Sequence, residues 1–231
     1  MNYLIIGGNS SVAGHLIKGL LEDGKKCTVI SRSEIGIKNP NLQFHKADIV
    51  KDGFPAVDLP ENLEGLVYFP GNIHLKPFRT LSQDDFKEAY DINFLGAVKS
   101  IQAAESSLKR SSSASVVLFS SVAVKTGMPF HAAISSAKGA VEGLTRSLAA
   151  EFAPKIRVNA IAPSLTNTKM AERYLNSEAK IEASKNRHPL KEIGSPQNIA
   201  ELVKFLLYDQ SKWITGQIIA ADGGLSSLKT S

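Results

Sequence analysis

The feature that most constrains this chain is a repeated alternation of short, almost wholly apolar runs with longer stretches of helical spacing. The apolar runs fall at residues 3–6, 27–31, 42–45, 65–69, 115–119, 157–161 and 217–220. A strand covered on one face alternates apolar and polar residues, whereas a continuous apolar run suits a strand buried on both faces. The intervening spacing predicts helices over about 12–21, 84–108, 133–152 and 196–208. The last opens with Ser195 as N-cap and Pro196 at the first helical position. Such alternation predicts a doubly wound α/β fold, a parallel sheet of about seven strands with crossover helices on both faces.

A chain of 231 residues suits one domain spanning 1–231. Residues 166–190 are polar, helix-prone and end at His188-Pro189, an insertion beyond a strand's carboxyl edge that is placed to cover a ligand. No run of eighteen apolar residues exists, so a membrane span is not expected. The N-terminus lacks a basic leader. A single cysteine, Cys27, forbids an intrachain disulfide and builds no metal site alone. The expected location is therefore the cytosol, with no metal. The net charge of +5 comes from scattered basic residues. That pattern argues against a nucleic-acid partner and suits mild steering of an anionic dinucleotide or acyl substrate.

Gly7-Gly8-Asn9-Ser10-Ser11-Val12-Ala13-Gly14 follows the first strand and opens the first helix. There a glycine-rich loop binds a dinucleotide, because backbone N–H groups and a helix N-terminus point at the pyrophosphate. Gly8, Asn9, Ser10, Ser11, Val12 and Gly14 are the candidate contacts. The second strand ends Ile30-Ser31-Arg32-Ser33 without an acid. A carboxylate at this point holds the adenosine ribose of NAD, whereas an arginine accommodates a 2′-phosphate. Arg32, with Ser31 adding a hydroxyl, therefore favours NADP(H) over NAD(H).

Val116-Val117-Leu118-Phe119-Ser120-Ser121, followed by His131-Ala132-Ala133-Ile134-Ser135-Ser136-Ala137-Lys138-Gly139-Ala140, closely resembles the active-site region of short-chain dehydrogenases/reductases. Within that family the chain resembles 3-oxoacyl-(acyl-carrier-protein) reductases of the main single-domain branch. The family places a serine thirteen residues before a tyrosine, and the tyrosine four before a lysine. Ser121 and Lys138 keep that register, and Ile134 stands at the tyrosine position. Other segments extend the resemblance: Ala47-Asp48-Ile49, Asp91-Ile92-Asn93, Arg157-Val158-Asn159-Ala160-Ile161-Ala162-Pro163-Ser164-Leu165-Thr166-Asn167-Thr168, and Ile214-Thr215-Gly216-Gln217 with Ala221-Asp222-Gly223-Gly224. Four departures stand beside Ile134. The family's Thr-Gly-x-x-x-Gly-x-Gly has Gly7 for threonine and Val12 for the middle glycine, so a β-branched side chain is expected to narrow the dinucleotide's approach. Tyr68-Phe69-Pro70-Gly71 keeps only Gly71 of Asn-Asn-Ala-Gly. Ser164 replaces the usual glycine after Pro163.

The resemblance implies a Rossmann-type fold, and hydride transfer between a nicotinamide and a carbonyl or enoyl substrate. It implies that Asp48 and Ile49 flank the adenine, that Gly71, Pro163 and Thr168 border the nicotinamide, and that Lys138 holds its ribose. Ser121 would steady the reacting oxygen, and Asn93 would support a proton relay. It also implies a homo-oligomer, commonly a tetramer, built on the long helices. With isoleucine at the tyrosine position, His131 becomes a candidate proton donor, since imidazole transfers protons near neutral pH. It lies seven residues before Lys138, the spacing of the family's enoyl-thioester-reductase branch, and shares a face with it if the helix begins early. Two expectations remain open: an oxidoreductase with a rearranged proton donor, or a non-catalytic dinucleotide-binding sensor, scaffold or partner subunit.

Overall fold

The computed structural model describes residues 1–229. In chain order the elements are β1 (Asn2–Ile6), α1 (Ser11–Glu22), β2 (Lys26–Ser31), β3 (Leu42–Lys46), β4 (Gly65–Tyr68), α2 (Gln83–Tyr90), α3 (Gly96–Arg110) and β5 (Ala114–Phe119). Then come α4 (Val122–Thr126), α5 (Ala132–Phe152), β6 (Ile156–Pro163), α6 (Glu178–Arg187), α7 (Pro196–Leu207) and β7 (Ile218–Ala221). The strands form one parallel sheet in the order β3-β2-β1-β4-β5-β6-β7. The strand order reverses between β1 and β4, and all carboxyl ends share one edge. In open α/β sheets that reversal opens the crevice where ligands bind.

The continuous apolar strands serve both faces by alternation. Tyr3, Ile5, Val29, Val67, Val117 and Ile161 point to the side covered by Leu16, Ile17 and Leu20 of α1 and by Ile199, Val203 and Leu206 of α7. Leu4, Ile6, Ile30, Leu66, Val116, Leu118 and Val158 point to the other, under Ile101, Ala104 and Leu108 of α3 and Val141, Ala149 and Phe152 of α5. The two edge strands, β3 and β7, are left without a fully buried residue. Ser195 caps α7 as its sequence indicates, accepting from the Asn198 N–H at 3.1 Å.

Most expected boundaries shift by a residue or two, but one expectation fails outright. The single helix predicted over 84–108 is interrupted by a π-helical turn at Asp91–Leu95. Two side chains compete for the helical carbonyls there. Tyr68 donates its hydroxyl proton to the Ile92 carbonyl at 2.7 Å, and Asn93 Nδ2 donates to the Ala89 carbonyl at 2.8 Å. Gly96 follows at once, and a Cβ there would overlap the Tyr68 hydroxyl. The break is therefore specified jointly by a strand-end tyrosine, a helical asparagine and a glycine. π-turns inside α-helices often mark functional sites.

Candidate active site

The glycine-rich loop forms the cradle expected at the end of β1. Gly7 adopts φ +82°, and a Cβ there would stand 2.8 Å from Pro70 Cδ. The two departures Gly7 and Pro70 are thus one steric adjustment. Gly8 has no room for a Cβ against the Val29 side chain. Ser10 caps α1 by accepting from the Ala13 N–H at 3.1 Å, and the first turn carries no acid to oppose an anion. Ser11 is exposed at this N-terminus, and Gly14 faces open space. Asn9 Nδ2 donates to Ser33 Oγ at 2.8 Å, tying the loop to the end of β2. Val12 does not behave as expected from its bulk. Its side chain is buried in the core beneath α1 and α7, so its branches crowd protein rather than the loop.

At the far end of the cradle, Arg32 is 75% exposed and its guanidinium stands 4.0 Å from the Asp48 carboxylate. Asp48 Oδ1 accepts from the Val50 N–H at 3.0 Å and the Lys51 N–H at 3.3 Å, fixing the turn after β3. Ile49 beside it is buried. Ser31 Oγ, at the end of β2, is buried without a hydrogen-bond partner among the described residues.

At the other end, four elements converge on Lys138. It lies on α5, is 9% exposed, and donates to the Phe119 carbonyl at 2.8 Å, at the end of β5. Burial pushes its ammonium from an ordinary 10.5 down to about 8. A Cβ on Gly71 would stand 2.9 Å from Asn93 Oδ1 and 3.8 Å from Lys138 Nζ, so glycine there lets the three approach. The π-turn presents Asn93, whose Nδ2 also donates to Asn72 Oδ1 at 2.9 Å. Its Oδ1 is buried and unpartnered. An orphaned acceptor beside a buried ammonium and a glycine fits a site built to receive a polar group from outside the chain.

Ser121 caps α4, its Oγ accepting from the Ala123 N–H at 3.2 Å, which leaves its own proton free to donate. Ile134 is 4% exposed, one helical turn before Lys138 on the same face of α5. His131 falls just outside that helix. It is the N-cap residue, and its Nδ1 pairs with the Pro129 carbonyl at 2.7 Å. The helix does not begin early enough to carry it on the Lys138 face. Pro163, which ends β6, and Ser164 and Thr168 beyond it are partly exposed. The insertion at 166–190 folds over this edge: Arg173 donates to the Ile73 carbonyl. A cleft of about 630 Å³ remains between Gly71–His74 and Lys169–Asn176. Sequence reasoning missed Tyr68, which braces the π-turn, and His188, which is buried against Ser164. The signals were present in both cases, as a tyrosine ending an apolar run and a histidine closing a polar insertion.

A family model described as enoyl-(acyl carrier protein) reductase matches residues 56–226. A tropinone reductase homolog of Arabidopsis thaliana is 32% identical over 98% of this chain and 79% of its own. The solved structure of 4-hydroxyisoleucine dehydrogenase complexed with NADH superposes with a TM-score of 0.89 at 27% identity, covering 99% of both chains. ElxO with NADP bound has a TM-score of 0.86 at 24% identity, over 98% of this chain and 99% of its own, and supports the fold. The chain belongs to the short-chain dehydrogenase/reductase family of oxidoreductases. Among the described residues no helix is long and apolar enough to cross a membrane.

Proposed function

We propose that this protein is an NADP(H)-dependent oxidoreductase acting on a small carbonyl or enoyl substrate, with a proton donor other than the family tyrosine. The observation that carries the reading is the convergence of Lys138, Asn93 and Gly71 at the carboxyl edge. A nicotinamide cofactor supplies or takes up the hydride when bound. Lys138 Nζ, fixed on the Phe119 carbonyl, is placed to hold the ribose, and Asn93 Oδ1 to accept from a relay water. Ser121 donates to the reacting oxygen as charge grows there. Pro163 and Thr168 border the nicotinamide, and Gly8, Ser10, Ser11 and Gly14 with the α1 N-terminus cradle the pyrophosphate. Asp48 and Ile49 face the adenine. Ile134 supports a second reading, a dinucleotide-binding protein without catalysis, because it places a buried alkyl group where the family keeps its acid.

Arg32 carries the cofactor preference. It stands exposed at the end of β2 and is held only loosely by Asp48, so a 2′-phosphate can draw it into a charge-assisted fork. Calorimetry should show NADPH bound more tightly than NADH, and Arg32→Ala should weaken NADPH alone by about 1–3 kcal/mol. An NADH preference in the wild type, or equal losses for both cofactors, would refute the assignment.

The assembly proposed is a homotetramer. A groove of about 470 Å³ runs between α2 and α5, lined by Phe86, Tyr90, Leu95, Ala133 and Ala137. Tyr90 and Leu95 are exposed on it, which suits a second copy of the same helices. Light scattering at micromolar concentration should return four times the 24.9 kDa chain mass; a monomer mass would reject the assembly. A reducing, cytosolic setting accords with Cys27, free and buried in β2.

A further inference from the structure

Ser164 and His188 form a hydrogen-bonded pair that the reading above leaves unused. Ser164 Oγ lies 2.8 Å from His188 Nε2, and His188 Nδ1 lies 2.8 Å from the Ser184 carbonyl oxygen. A carbonyl oxygen only accepts, so in the neutral ring Nδ1 carries the proton and Nε2 presents its lone pair. The Ser164 hydroxyl therefore donates to Nε2. A hydroxyl joined to a base, with the base oriented by a third group, is the arrangement that activates an oxygen for proton transfer. His188 is 2% exposed, whereas Ser164 is partly open to solvent. The pair has one shielded end and one accessible end.

The pair lies at the carboxyl edge of the sheet, the edge that carries the candidate site. Ser164 follows Pro163, the last residue of β6, and its N–H donates to the Ala221 carbonyl at 3.3 Å. Phe119 pairs with Ile161 and the Ser120 N–H donates to the Ile161 carbonyl at 2.8 Å, a register that sets Ser121 across from Pro163. Ser164 is thus one residue beyond the partner of Ser121 on the neighbouring strand, which runs about 4.8 Å away, at the edge where β5 also anchors Lys138. His188 is the residue that ends α6. The insertion that roofs the cleft thus also delivers the base.

We propose that Ser164 and His188 are the proton relay of this site, taking the proton when an alcohol is oxidised, a task Ile134 cannot perform. The proposal rests on the oxidoreductase reading. As the hydride leaves the carbinol carbon for the oxidised nicotinamide, the substrate O–H bond breaks and its proton passes to Ser164 Oγ. The proton already on Ser164 moves to His188 Nε2, and the substrate carbon–oxygen bond becomes a carbonyl. The imidazolium so formed donates through Nδ1 to Ser184 and through Nε2 to Ser164. In reduction the same protons travel back to the carbonyl oxygen.

His188→Gln separates relay from scaffold. A glutamine amide oxygen still accepts the Ser164 hydrogen bond, but it takes no proton. With a panel of secondary alcohols and either NADP⁺ or NAD⁺, His188→Gln and Ser164→Ala should each lower kcat by about 10²-fold. Cofactor affinity and thermal midpoint should stay near wild type. Nitrogen-15 NMR of histidine-labelled protein should show Nδ1 protonated and Nε2 bare, with the Nε2 resonance moving in Ser164→Ala. A neutral ring protonated on Nε2, or wild-type kcat in both variants, overturns the relay and leaves the pair as a clamp. Loss of turnover in His131→Ala, with Ser164→Ala active, would transfer the role to His131. A wild type that binds cofactor yet neither oxidises alcohols nor reduces ketones defeats the oxidoreductase reading and the relay together. Should His188→Gln fail to fold, Ser164→Ala, which keeps the imidazole, decides the question.

Discussion

Ile134→Tyr is expected to raise carbonyl reduction by about 10²–10⁴-fold, the contribution of a well-placed general acid. Position 134 lies one turn ahead of Lys138 on the face of α5 that meets the end of β5. A phenol introduced there would sit beside an ammonium already lowered to about 8, whose positive charge stabilises phenolate and so eases release of the proton. The site is buried, so the larger ring costs about 1–3 kcal/mol in stability through overpacking. The measurement is NADPH oxidation by both proteins across a ketone panel, with cofactor affinity as control. Equal rates at equal affinity would show that position 134 does not face the reacting carbonyl.

Lys138 carries the second large effect, on stability. Its folded-state pKa of about 8 lies below the ordinary 10.5, so the unfolded chain binds more protons between those values. Stability must then rise with pH across that window, and the penalty is fully present below pH 8. The shift corresponds to about 3 kcal/mol. Urea unfolding at intervals from pH 7 to pH 10 should show wild type gaining most of that amount relative to Lys138→Met. Tyrosine ionisation is common to both proteins and cancels in the difference. Parallel curves would mean that the ammonium is not desolvated. Lys138→Met should also bind cofactor more weakly, because the ribose loses its donor.

The layers of the fold were legible because buried parallel strands leave an unmistakable mark. Val116-Val117-Leu118 or Leu4-Ile5-Ile6 can only be apolar throughout if both faces are covered. The shared face of Ile134 and Lys138 was legible from helical spacing, whereas the place of Ser121 beside them rests on the resemblance to the family. The π-turn was not. Asp91 to Leu95 keeps helical periodicity, and although Asn93 and Gly96 are local, they act with Tyr68, more than twenty residues earlier. His131 does not share the Lys138 face, because the chain turns at Phe130, which adopts φ +69°, and α5 begins only at Ala132. The Ser164–His188 pair was hidden because its members are joined only by the fold of the intervening insertion. A substituted glycine and a distant histidine share no local pattern.

The contact between Gly7 and Pro70 has a consequence for how this site can be altered. The two residues belong to different loops, yet the proline ring fills the volume that a side chain at position 7 would need. Restoring the family's threonine at 7 therefore fails while the proline remains, and it stays strained after Pro70→Ala, because the backbone at 7 holds φ +82°. A stepwise search that scores single replacements will find position 7 closed and will keep every glycine it meets there. Other residues at position 7 become accessible only to a library that replaces Pro70 and also lets the loop backbone at 7 leave its positive φ.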